Sequence, residues 1–306
     1  MKKIIDELRK FYFKRTNQEK YNEYKLLIRD EKLVKSYNNN LKSKIADIQK
    51  VLKEKDEINF KHSGHIGDFV YALPVINEIS KTKKCNIYIK INHSIGKKKY
   101  FKHPSGSVMI SNMIFDMIFP LLKNQDYIHS VHKWNNEEID IDLDLFREYP
   151  FSLNFHSIRW YYHLTGFQPN MNTSFIEAKS SEKFKDKIVV VRTFRGRNPM
   201  INYSFLNKLD NLIFLGTKSE YDDFIKEVPN IEFYDVKDFL ELAEIMKSSK
   251  FVITNQTFAF ALAEGLKVNR ILEANPYIPA VFPIGDNGFD FYFQHQFENL
   301  VEKFNV

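Results

Sequence analysis

Residues 251–276 read FVITNQTFAFALAEGLKVNRILEANP. An apolar, β-branched run from Phe251 predicts a strand. The polar turn Asn255-Gln256-Thr257 follows, then an Ala- and Leu-rich stretch over 256–266 with helical character, then a second strand in VNRILEAN. Strand, turn, helix and strand in this order form a unit that closes only in a parallel sheet covered on both faces. The same alternation runs back from it. KIVVVRTF, NLIFLG, NIEFYD and KFVITN are short strand-like runs, separated by helix-like stretches at 218–227 and 237–248. With VNRILEAN they predict a sheet of five strands, and FYFQHQFENLVEKF predicts a terminal helix.

A second series lies upstream. INFKHSGHIGDFVYALPVINEI predicts a strand, a glycine-containing turn and a helix. NIYIKI (a strand), a loop over His93–Gly106 and an apolar helix over Val108–Leu122 come next. YIHSVHKW and IDIDLDLF alternate as half-buried strands do, and SIRWYYHLTGF reads as a helix ended by Gly166. Gln168 to Lys187 is polar and predicts an interdomain linker. The expected architecture is α/β: two Rossmann-like domains facing a cleft, with an N-terminal helical extension. The boundaries are 1–56 for the extension, 57–168 for the first domain and 169–306 for the second, whose terminal helix is expected to return to the first domain.

The 306 residues fit two domains, and 43% apolar residues suit a folded, water-soluble chain. One cysteine, Cys85, excludes an internal disulfide and a multi-cysteine zinc site. It reads as buried filler in a strand. No signal peptide is legible in MKKIIDELRKFYFKR, and no run reaches the ~20 apolar residues of a membrane span. These features predict a cytoplasmic protein. The net charge of +6 is uneven. Residues 1–56 hold 16 Lys/Arg against 9 Asp/Glu, whereas 57–306 hold 29 against 30. A basic arm on a neutral body argues against nucleic acid as partner. The arm lacks Gly and Pro and reads as helix, broken near Ser36 and Asn38–Asn40. Interleaved acidic residues favour packing on its own domain over peripheral contact with the inner face of a membrane.

Three turns carry candidate chemistry. In HSGHIGDFVYALP, Gly64 and Gly67 permit a tight reversal, and a helix begins near Asp68 with its N–H groups facing the cleft. Such a turn suits an anion or a polar sugar. Three roles fit Asp68: a helix-start carboxylate, a general base, or a ligand for substrate hydroxyls. Asn255, Gln256 and Thr257 lie past the carboxyl end of a strand, where open α/β sheets bind ligands. Glu264, on the following helix, is either a helix-end charge or a ligand for sugar hydroxyls. Arg192, Thr193, Arg195 and Arg197 cluster after KIVVV, and guanidinium forks pair well with phosphate oxygens. Gly216 and Lys218 follow the next strand as a weaker phosphate candidate. Asp140, Asp142 and Asp144 fall on one face of a predicted strand rather than in a metal-binding turn.

The stretch IGDFVYALPVI resembles the opening motif of the heptosyltransferase-like family of GT-B glycosyltransferases: Gly-Asp, a few apolar residues, then Leu-Pro. The resemblance implies that Asp68 is the base that activates an acceptor hydroxyl. His62 and His65 then flank it as catalytic partners, and Ser63, Gly64 and Gly67 form the acceptor-side turn. The stretch from Phe251 resembles the same family's strand, Asp-Thr-Gly and helix, with Thr257, Ala263 and Leu266 in register. It departs at Gln256 (Asp in the family), Phe258 (Gly) and Ala261 (His), so the family's sugar does not carry over. The resemblance implies a metal-independent inverting transferase without cofactor. It would move a sugar from a nucleotide-sugar donor to a glycan or glycolipid acceptor. A nucleotide-sugar epimerase of the same shape and a non-catalytic glycan- or nucleotide-binding module are the alternatives.

Overall fold

In a computed structural model, which describes residues 2–96, 105–278 and 280–305, the chain forms two parallel sheets preceded by a helical arm. The arm comprises α1 (Lys2–Thr16), α2 (Gln18–Ser36) and α3 (Lys42–Glu54), with one π-helical turn at Tyr37–Leu41 where the asparagine run predicts a break. Only part of the arm packs as expected. Helix α3 buries Ile48 and Leu52, and Gln49 donates to the Thr165 carbonyl at 2.8 Å. Helices α1 and α2 instead pair with each other, through Tyr24 donating to Asp6 at 2.8 Å and Phe13 edge-on to Tyr24. They leave their outer apolar residues exposed.

The first domain holds β1 (Glu57–His62), α4 (Ile66–Val70), α5 (Leu73–Ser80), β2 (Lys84–Ile89), α6 (Asn112–Lys123), β3 (Ser130–Lys133), β4 (Ile141–Asp142) and α7 (Ile158–Thr165). Its strands are all parallel, in the order β3-β2-β1-β4. The loop read over His93–Gly106 falls for residues 97–104 outside the described residues. IDIDLDLF is not one strand: β4 spans two residues and passes straight into a 3-10 helix, Leu143–Glu148. Asp142 starts that helix by accepting from the Asp144 N–H at 3.1 Å, so local side-chain capping overrides the alternating pattern.

The second domain holds β5 (Ile188–Val191), β6 (Leu212–Phe214), α8 (Lys218–Phe224), β7 (Glu232–Phe233), α9 (Phe239–Ser248), β8 (Phe251–Asn255), α10 (Phe258–Leu266), β9 (Arg270–Glu273), β10 (Gly288–Phe291) and α11 (Gln294–Phe304). Among the described residues six parallel strands, not five, run in the order β10-β9-β8-β5-β6-β7. All residues of β5, β8 and β9 are buried, as strands covered on both faces require.

The terminal helix does not return to the first domain, which corrects the expectation. Phe297 and Val301 of α11 join the core beneath the second sheet, and Phe297 stacks on Phe291 at 4.2 Å. The crossing is made instead by residues 280–282. Ser157 donates its N–H to the Ala280 carbonyl at 2.8 Å, and His156 donates Nε2–H to the Phe282 carbonyl at 2.9 Å. The other face of the second sheet shares a continuous apolar core with the first domain.

In each sheet the chain direction switches beside its first strand. β1 lies between β2 and β4, and β5 lies between β6 and β8. The carboxyl ends at such switch points are where open α/β sheets bind ligands. The turn at 62–68 and the 3-10 helix at 143–148 occupy the first switch point. The loop at 192–197 and the turn at 255–257 occupy the second.

Candidate active site

The first rim is an ionic network. Asp144 accepts from both the N–H and the Oγ–H of Ser63 at 2.7 Å, and His93 Nδ1 lies 2.9 Å from the same Ser63 oxygen. Arg147, one 3-10 turn beyond Asp144, places Nε 3.5 Å from Asp144 and Nη2 3.3 Å from Asp68. The Tyr161 hydroxyl donates to the Asp68 carbonyl at 2.8 Å, which fixes the short helix α4. Burial is the main influence on the Asp68 carboxyl and raises its pKa. Arg147 and His62 pull the other way without overcoming it. Burial alone would also raise Asp144, but His62, the Ser63 hydrogen bonds and Arg147 outweigh it and hold that carboxyl below the usual value. Two adjacent carboxylates thus differ in basicity: Asp68 is the better proton acceptor, and Asp144 is a fixed anion.

The histidines divide. His62 is fully buried, donates Nε2–H to the His65 carbonyl at 3.1 Å and turns Nδ1 toward Asp144 at 3.7 Å. It supports the turn from beneath and does not reach a substrate, which corrects its expected catalytic role. His65 is partly exposed. Burial, then the positive charges of Arg195 and Arg147, push its pKa down to about 4. Near neutrality it is an uncharged imidazole. Arg195 belongs to the second domain, so the charge that disfavours the protonated ring comes from across the cleft.

The acceptor-side turn has local reasons for its residues. The Ser63 hydroxyl is committed to Asp144 and His93. A β-carbon on Gly67 would lie 3.5 Å from the Phe258 Cα, so the first-domain turn sits directly on the start of α10.

On the second rim, Asn255 is fully buried and acts as a clasp. Its Oδ1 accepts from the Thr193 N–H at 3.1 Å, and its Nδ2 donates to the Thr193 and Arg195 carbonyls at 3.0 and 2.7 Å. The arginine loop and the 255–257 turn are therefore one structure. Gly196, at φ +71°, completes the loop in the left-handed region, 3.3 Å from the Gln256 carbonyl measured from its virtual β-carbon. Arg197 donates to the Thr193 carbonyl at 3.1 Å and pairs with Asp223 at 2.7 Å, yet its Nη2 is buried without a hydrogen-bond partner. Thr257 occupies the cap position of α10 without a side-chain cap bond. Gln256 donates to the Ile278 carbonyl at 2.6 Å and so ties the turn to the crossing segment.

Three expected donor residues are engaged elsewhere. Arg192 is 5% exposed and makes a two-point pair with Glu273 at 2.8 and 3.0 Å, stacked over Tyr203 at 4.3 Å. It braces the loop rather than presenting a guanidinium to a phosphate. Glu264 is fully buried, pairing with Arg270 at 2.6 Å and with Lys267, so it is no sugar ligand. Lys218 pairs with Asp222 on its own helix, where Thr217 and Glu220 form a capping box after Gly216.

Sequence reasoning missed Asp144 and Arg147. The signal was present in Asp142-Leu143-Asp144, which opens a helical turn when the first aspartate caps it. Among the described residues no group of three His, Cys, Asp or Glu side chains is placed to hold a metal ion. None of their helices is long and apolar enough to cross a membrane.

No family model and no curated protein matches the sequence. Solved structures do match its fold. A glycosyl transferase family 9 protein from Veillonella parvula is 11% identical over 81% of this chain and 88% of its own, with a TM-score of 0.52. The Escherichia coli heptosyltransferase WaaC, solved with ADP, is 10% identical over 81% of this chain and 99% of its own, at 0.49. TibC from enterotoxigenic E. coli, described as an iron-containing dodecameric glycosyltransferase, is 12% identical over 76% of this chain and 61% of its own, also at 0.49. The first carries the fold: two Rossmann-like domains arranged as in GT-B glycosyltransferases.

Proposed function

We propose that the protein is a metal-independent inverting glycosyltransferase. A nucleotide sugar binds the second domain, and a glycan or glycolipid acceptor binds the first. The observation that carries this reading is the apposition of the two rims, in which Gly67, beside Asp68, rests on Phe258 at the start of α10. Asp68 accepts the proton of an acceptor hydroxyl as that oxygen attacks the anomeric carbon. The bond from the anomeric carbon to the diphosphate breaks, and the diphosphate leaves with its electrons. Arg195, the unpartnered nitrogen of Arg197 and the N–H groups of α10 offset the charge that develops there. Attack opposite the leaving group inverts the anomeric centre.

Asp68→Asn keeps the side chain's shape and removes the base. Transfer from a panel of nucleotide sugars should fall by about 10²-fold or more. Affinity for the matching nucleoside diphosphate should stay within about twofold, since Asp68 lies on the other rim. An Asp68→Asn protein with full transfer activity would remove the assignment.

A further inference from the structure

Helix α1 presents an apolar stripe that none of the described residues covers. Ile4, Leu8, Phe11 and Tyr12 recur at three- and four-residue spacing and are 55–67% exposed, with Ile5 beside them at 43%. The stripe is not the seam of the hairpin. Asp6 and Phe13, on the other side of the helix, make the contacts to Tyr24 of α2. The charges on α1 are one-sided in sign: Lys2, Lys3, Arg9, Lys10, Lys14 and Arg15 against Asp6 and Glu7. Arg15 lies over the Phe11 ring at 4.0 Å, so a cation sits within the stripe itself, and Glu7, the one acidic residue on its flank, is paired with Lys10 at 3.0 Å. Helix α2 also exposes apolar residues, including Leu26, Leu27 and Val34. However, Glu23 and Asp30 recur among them at helical spacing, which suits water better than a negative surface.

From this stripe and its charge we infer that α1 docks on an anionic lipid bilayer, lying in the interface with Leu8 and Phe11 inserted and its cations at headgroup level. An exposed apolar stripe flanked by Lys and Arg has the two attractions that hold an interfacial helix: buried apolar area and charge complementarity. The same charge opposes pairing with a second copy, since two α1 helices face to face would bring like charges together. The inference rests on α1 alone and not on the transferase reading, so either can fail without the other.

The test is co-sedimentation of the full chain with vesicles of phosphatidylcholine alone, or with about a third of the lipid as phosphatidylglycerol. Wild type should sediment with the anionic vesicles only, and raised salt should weaken it. Leu8→Glu/Phe11→Glu should weaken binding about tenfold or more. Leu8→Ala/Phe11→Ala, which keeps a good helix former at both positions, should weaken it in the same direction. Equal binding to both vesicle types, or binding indifferent to both variants, would overturn the inference. So would a wild-type dimer that ignores vesicles and is dissociated by the same substitutions, because a second copy would then cover the stripe.

Discussion

A β-carbon placed on Gly64 would stand 2.2 Å from Nη2 of Arg147, the same nitrogen that lies 3.3 Å from the Asp68 carboxylate. Glycine at 64 thus leaves the space through which Arg147 reaches the base. In Gly64→Ala the guanidinium must move, because it is the flexible partner, while the backbone at 64 needs no left-handed conformation. The substitution should therefore reproduce Arg147→Gln. Both should shift the acidic limb of the kcat/KM profile upward by about 1 pH unit, as expected when a carboxylate loses a partly exposed cationic neighbour. Coincident profiles for wild type and both variants would show that Arg147 does not tune Asp68.

The Asp68 carboxyl is raised chiefly by burial. If it is the base, kcat/KM should fall as the pH drops through a value above the ordinary ~4 of an aspartate. The same shift has a stability sign. The folded state holds the Asp68 proton more tightly than the unfolded state. Its contribution is therefore favourable at low pH and is lost as pH rises through the raised value. Asp68→Asn should unfold at higher urea than wild type at neutral pH, and at similar urea well below the unfolded carboxyl's pKa. A less stable Asp68→Asn at neutral pH would contradict the burial.

The parts legible in the sequence were those set by local pattern. The alternation of apolar runs and helical stretches gave both parallel sheets, and the turns at 62–68 and 255–257 emerged at the two switch points because βαβ connectivity puts them there. What depends on distant partners was not legible. Arg192 and Glu264 have the residue types of ligands, but Glu273, 81 positions from Arg192, and Arg270 are their counter-ions. Nothing in the spacing announces a pair that forms only when β5 and β9 flank β8. Asp144 was hidden differently: its alternating neighbours look like a strand, whereas the Asp142 cap turns the chain into a helix after two residues.

The Arg192–Glu273 pair yields a prediction that separates bracing from phosphate binding. Glu273 also accepts from the Tyr203 hydroxyl at 2.8 Å and from the Asn198 N–H at 2.6 Å. Removing Arg192 leaves that carboxylate buried and short of its cation, which costs about 3–5 kcal/mol. Arg192→Met should lower stability by this order in urea denaturation. Nucleoside diphosphate affinity, measured where the variant is still folded, should change little. A stable Arg192→Met with affinity lost tenfold would restore the direct phosphate role.

His156 gives the seam between the domains a pH dependence. It is 2% exposed, donates through Nε2 to the Phe282 carbonyl and accepts at Nδ1 from the Ile158 N–H at 3.3 Å. Accepting at Nδ1 requires the neutral ring, whereas the donation to Phe282 survives protonation. Burial pushes its pKa down to about 4, aided by the Lys267 and Arg159 charges and opposed by the bond to Phe282. Unfolded, the ring takes its proton near 6.5. Between those values the unfolded state binds more protons, so stability is full above ~6.5 and declines as pH falls toward 4. The loss at pH 5 should be on the order of 1–2 kcal/mol for this residue. His65, also held down to about 4, adds to it in the same direction. His156→Gln can still donate to Phe282 but cannot take a proton. It should lower stability modestly at pH 7 and flatten the decline between pH 7 and 5, read from urea midpoints. If wild type and His156→Gln declined in parallel, the acid sensitivity would belong to other groups.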